Sequence, residues 1–162
     1  MSAAKTSGNP DTANEPGRLE RRWGRDLINA GWLGLPSVFL QRQNAFALDA
    51  LDLNIVLQIA DHWWEPDNHP YPSKKSLAER IGVDARTIQR RIARMERDGL
   101  IERVPRRSAH GGNKTNVYRL TPLIEKAKPF ARELLAERHA RTQEKEARRK
   151  RKRARVTLVR SN

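Results

Sequence analysis

The sequence predicts a mainly α-helical domain that carries one small β hairpin and ends in a basic tail. Three observations predict it. Apolar stripes at helical spacing recur along the chain, bounded by residues suited to start or stop a helix. Two short β-type runs, "LIERV" (100–104) and "NVYRL" (116–120), flank a polar loop that contains glycine. Beyond about residue 140 the apolar stripe ends and Lys and Arg dominate.

Residues 1–17 are small and polar and include Pro and Gly, a composition that predicts disorder. Leu19, Trp23 and Leu27 then recur every fourth residue, one face of a short helix that Gly31 can end, with Gly24 as a weak point in its middle. In "LPSVFLQRQNAF", Val38, Leu40 and Arg42 alternate with Phe39, Gln41 and Gln43, which predicts a short strand. Asp49 or Asp52 caps the next helix, whose stripe is Leu53, Val56, Leu57, Ala60 and Trp64. "EPDNHPYP" reads as loop, because the residue before each proline disfavours the helical region.

Ser73 is suited to start a helix that runs to about Ile81, with Gly82 as its terminator. Asp84 starts another, with Ile88, Ile92 and Met95 as its buried stripe and Gly99 as its stop. The hairpin follows, with "PRRSAHGGNKT" as its long tip. Pro122 fits the first turn of a last helix striped by Leu123, Ala127, Phe130, Leu134 and Leu135, and Pro129 predicts a kink in it. The predicted organisation is a disordered segment over 1–17, a domain over 18–140 and a basic tail over 141–162. Of Trp63 and Trp64, successive helix positions about 100° apart, one is expected in the core and the other partly exposed.

Charge narrows the function. The 162 residues carry a formal net charge of +14. It sits in two blocks: residues 73–120 hold 13 Lys/Arg against 5 Asp/Glu, and residues 141–155 hold 9 against 2. One block is inside the predicted fold and the other is the tail. Such a balance suits an anionic polymer, most often nucleic acid.

Other classes find no support in the residues. There are no cysteines, hence no disulfide chemistry. No apolar run approaches the ~20 residues of a membrane span, and the N-terminus lacks the apolar centre of a secretion signal. His62, His69, His110 and His139 lack metal-ligand spacing, and "HGGNK" lacks the context of a phosphate-binding loop. Asp49, Asp52 and Asp61 read more simply as caps and surface charge than as a nuclease cluster. The expectation is a soluble, cytoplasmic, nucleoid-associated protein with no enzymatic activity, metal, cofactor or membrane partner.

The order helix, tight turn, helix, strand, basic loop, strand resembles a winged helix-turn-helix. Counted from Lys74, Ala78 is fifth, Gly82 ninth and Ile88 fifteenth, where the motif places a small contact residue, a turn glycine and a core aliphatic. "LPSVFLQRQNAFALDALDLNIVLQIADHWW", "YPSKKSLAERIGV", "RTIQRRIARMERDGLI" and "TNVYRLTPL" extend the resemblance over about residues 33–125. They are similar to small bacterial winged helix-turn-helix proteins, often encoded with mobile genetic elements. Related domains occur in plasmid and phage replication initiators.

Burial of Ile88, Ile92 and Met95 leaves Arg86, Thr87, Gln89, Arg90 and Arg94 toward the other side of the helix. The resemblance implies that this helix, about 85–98, enters the major groove by its N-terminal half. Arg can pair with guanine, Gln with adenine, and Thr can touch a thymine methyl. Arg91 and Arg94 are expected at phosphate, with Lys74 and Lys75 near the start of the preceding helix. The loop, about 105–114, is expected to act as the wing and to place Arg106, Arg107 and Lys114 on the backbone or in the minor groove.

The expected partner is double-stranded DNA, bound by a transcriptional regulator that acts by site occupancy. A homodimer through the Trp23 helix or the Leu123–Leu135 stripe is open, as is monomeric use of both. The rival readings are a replication initiator or accessory factor, and an RNA-binding component of a ribonucleoprotein. RNA is a second ligand open to the basic tail.

Overall fold

The computed structural model describes residues 16–107 and 113–160, with side chains over 17–106 and 115–151. Residues 1–15 of the predicted N-terminal segment and 108–112 at the tip of the predicted wing lie outside the described residues, as do the side chains of Arg107 and Lys114. The chain divides into two units, one up to Gly34 and one from Leu35 onward.

The first unit holds two short helices, α1 (Pro16–Trp23) and α2 (Arg25–Ala30), in place of the single helix expected from Leu19, Trp23 and Leu27. The break is at Gly24, whose φ of 85° is open to glycine and strained for other residues. Trp23, Leu27 and Trp32 are all exposed.

The second unit starts with α3 (Val38–Gln41) and a 3-10 turn over Gln43–Phe46, and this corrects the strand expected there. Alternation in this stretch misled because its consecutive residues Val38 and Phe39 are both buried, which a helical turn permits and a strand with one core face does not. The Phe46 ring lies 5.9 Å from Phe39 and packs edge-on against Phe130 at 5.3 Å.

Helix α4 (Ala50–Asp61) starts in a reciprocal capping box. The Asp52 amide donates to Asp49, and the Asp49 amide donates to the Asp52 carboxylate, each at 2.9 Å. Its core face is Leu53, Ile55, Val56 and Ile59, rotated from the expected stripe. The helix ends before the tryptophans, so Trp64 is 75% exposed while Trp63 packs against the core.

Helices α5 (Lys74–Ile81) and α6 (Ala85–Arg97) begin where their caps predict. The Ser73 hydroxyl accepts from the Ser76 amide, and Asp84 accepts from the Thr87 amide. Between them Gly82 takes φ 79°, and its amide donates to the Ala78 carbonyl. Ala78 is buried and small, which lets the two helices approach. Leu77, Ile88, Ile92 and Met95 show no exposed surface.

Strands β1 (Glu102–Arg107) and β2 (Asn113–Arg119) pair antiparallel, with Val104 opposite Val117 and an irregularity between Val104 and Arg106. Pro105, which has no N–H for a ladder, falls at this irregularity. The strands run further than expected and take up most of the loop predicted between them. The Tyr118 amide donates to the Pro70 carbonyl at 2.8 Å and ties the loop before α5 to β2. Helix α7 (Thr121–Arg160) packs Leu123 and Ala127 into the core and continues past Pro129 through the predicted tail. Every side chain from Leu135 to Arg151 is exposed.

Candidate nucleic-acid interface

Burial of one α6 face determines what the other offers. Ile88, Ile92 and Met95 repeat at four and three residues and anchor the helix. Arg86, Gln89 and Arg90 are exposed on its N-terminal half. Among the described residues no ion pair engages Arg86 or Arg90. Thr87 is half-buried, and its hydroxyl donates to Asp84 at 2.6 Å. That bond, then the one from the Thr87 amide, holds the Asp84 carboxyl below its usual range.

Lys74, at the first position of α5, reaches across the turn, and its Nζ donates to Gln89 Oε1 at 3.2 Å. Two expected contact residues on different helices therefore meet. Lys75 points into solvent beside Glu79. Arg106 on β1 lies with its guanidinium 4.2 Å from the centre of the Tyr71 ring, a cation–π stack. A cleft of about 460 Å³ opens between the start of α5 and the hairpin, and both Lys74 and Arg106 line it.

Arg91 and Arg94, expected at phosphate, form ion pairs inside the domain. Arg91 binds Asp49 and lies 3.5 Å from Asp52, and Arg94 binds Asp52. The Asp52 side chain has no exposed surface, whereas Arg91 and Arg94 remain 30% and 35% exposed. Burial raises the Asp52 carboxyl, against the pull of the Asp49 amide and Arg94. Burial would also raise Asp49, but the Asp52 amide and Arg91 outweigh it and hold that carboxyl low.

Sequence reading missed this cluster. Its signal was present: two acids three residues apart on one helix and two arginines three apart on another, each pair one helical turn. Tyr71 was missed as well, because nothing in a proline-flanked loop announces a stack on a distant strand.

Residues 48–101 match a family model described as a helix-turn-helix domain. That span starts just before α4 and ends after α6, and it covers the buried face, the turn at Gly82 and the exposed arginines. Over these residues the chain is similar to helix-turn-helix domains, and α5, the turn at Gly82 and α6 have that form. The β1–β2 hairpin that follows gives it the winged form. The fold is mainly helical with a two-stranded antiparallel sheet.

Among solved structures, the chain is similar to the N-terminal domain of the DnaD protein from Geobacillus kaustophilus HTA426. The two are 21% identical over 70% of this chain and 92% of that one, with a TM-score of 0.50. It also matches a protein from Methanosarcina mazei Go1 described as a possible transcriptional regulator. That match has 20% identity, covers 59% of this chain and 80% of that one, and has a TM-score of 0.39. No curated protein matches the chain.

A helix-turn-helix domain implies DNA binding. Among the described residues no helix is long and apolar enough to cross a membrane, and no group of acids and histidines is arranged to hold a metal.

Proposed function

We propose that the protein is a non-enzymatic, sequence-specific reader of double-stranded DNA that regulates transcription by occupying its site. One observation carries the reading. Arg86, Gln89 and Arg90 stand exposed at the N-terminal half of α6 without acidic partners among the described residues, and the other face of the same helix is locked into the core. Arg and Gln there have the donor and acceptor geometry for guanine and adenine edges. The Thr87 hydroxyl is committed to Asp84, so the Thr87 methyl is the part available to a thymine.

Lys74, Lys75 and Arg106 supply phosphate contacts at the flank of α6, and Arg107 and Lys114 extend them along the wing. Arg91 and Arg94 stand at the edge of the same surface, where Asp49 and Asp52 compete with phosphate for them. The functional domain in this reading is residues 18–140, with 141–162 as an auxiliary basic segment. A homodimer on paired half-sites fits such a reader.

Selection from random duplex DNA at physiological salt, with an RNA pool in parallel, tests the proposal. An enriched duplex motif is expected, and its symmetry reports monomer or dimer. Arg86→Ala with Arg90→Ala should remove the motif and leave most nonspecific affinity. RNA enrichment with no duplex motif would overturn the proposal. Iterated copies of the motif beside a replication origin would move the outcome from transcription to replication, on the same DNA surface.

A further inference from the structure

Helix α7 continues unbroken into the basic segment, and this places its cations in a definite register. At 100° per residue, Arg141, Lys145, Arg148, Lys152 and Arg155 fall within about 80° of one another. Leu134, which packs on the core, falls in the same sector. So do Leu123, Ala127 and Phe130. The positions 123, 127, 130, 134, 137, 141, 145, 148, 152 and 155 form one continuous stripe at spacings of three and four.

The stripe is apolar where α7 lies on the domain and cationic where α7 leaves it. The change occurs at Glu137, which pairs with Arg42 at 2.9 Å and lies 3.7 Å from Arg141. Arg149, Lys150, Arg151 and Arg153 lie outside this sector, on the other sides of the helix.

We infer that this stripe of cations along the outer part of α7 binds the phosphate backbone of duplex DNA. The inference rests on the proposed function and adds a second DNA-contacting element to it. The five ridge positions span about 21 Å at 1.5 Å per residue, one cation per helical turn. Among the described residues, Arg141, Lys145 and Arg148 are exposed, as is every side chain from Leu135 to Arg151. A second copy of the same ridge is excluded as occupant by like charge. The linear, regularly spaced anion that complements such a ridge is a nucleic-acid backbone. Duplex DNA is favoured because the same chain carries the duplex-reading helix.

The register makes the inference testable with variants of equal charge. In the full chain, one triple variant removes ridge cations: Arg141→Gln, Arg148→Gln and Lys152→Gln. The other removes Lys150, Arg151 and Arg153, each to Gln. Affinity for a mixed-sequence 30-base-pair duplex is measured across salt concentrations. Each phosphate contact contributes about 0.9 to the slope of log affinity against log salt. The ridge variant should lower the slope by roughly 2–3, and the control variant by less than about 1. Far-UV circular dichroism should show equal helix content in both.

Equal losses of slope would overturn the ridge and leave a polycation without a face. A ridge effect on RNA but not on DNA would overturn the choice of occupant. The two proposals fail separately. An empty DNA selection strikes the reading helix, whereas this slope comparison concerns α7 alone.

Discussion

Asp52 should be the most revealing single position in the domain. Its carboxylate has no exposed surface, accepts from the Asp49 amide at 2.9 Å and pairs with Arg94. Asp52→Ala removes two things. The reciprocal capping bond is worth about 0.5–1.5 kcal/mol. Breaking a fully buried ion pair costs about 3–5 kcal/mol. Here the cations are 30% and 35% exposed and regain water when abandoned, so the larger figure must be discounted.

Removing the acid also relieves the cost of burying it, the same cost that raises its pKa. The expected net loss is about 2–3 kcal/mol, which lowers the Tm by roughly 8–12 °C for a domain of this size. Asp52→Asn keeps an acceptor for the Asp49 amide and should lose about half as much.

Thermal unfolding followed by circular dichroism measures both variants. A double-mutant cycle with Arg94→Met isolates the pair, with a coupling of about 1–2 kcal/mol expected. A Tm unchanged by Asp52→Ala, or a coupling near zero, would refute the claim that this cluster holds α6 to α4.

Three further outcomes follow from the packing and the caps. Ile88→Ala opens a cavity at a fully buried position and should cost about 2–5 kcal/mol in chemical denaturation, whereas a cost below 1 kcal/mol would contradict its place in the core. Gly82→Ala meets nothing within 4 Å, so its cost of about 1 kcal/mol should arise from φ alone; Gly82→Asn, which tolerates that region better, should lose less. Asp84 has a lowered pKa, so its stabilising effect is present above the usual aspartate value and is lost as pH falls through the folded-state pKa. The stability gap between the native chain and Asp84→Ala should therefore be full at pH 7 and close in acid, and a gap that widens in acid would contradict the cap.

Residue pattern alone determined the parts of this fold whose signals are local. Ser73 and Asp84 cap the helices they were expected to cap because a side-chain oxygen can reach an amide three residues on. Gly82 ends α5 because a positive φ suits glycine. Ile88, Ile92 and Met95 face inward because their spacing matches the helical repeat. These same signals pointed to the exposed α6 arginines.

Contacts between distant segments were decided only in the tertiary structure. Val38, Leu40 and Arg42 alternate like a strand, but among the described residues no strand pairs with them, and Phe39 and Phe46 pack in helical turns against α7. Leu19, Trp23 and Leu27 share a helical face in projection, yet Gly24 breaks the helix between them. Arg91 and Arg94 are expected at phosphate from their pattern, and only the fold brings Asp49 and Asp52 beside them. A charge pattern reports how many cations a helix carries. Which of them remain for DNA depends on the acids that packing brings within reach, and packing is a property of the whole domain.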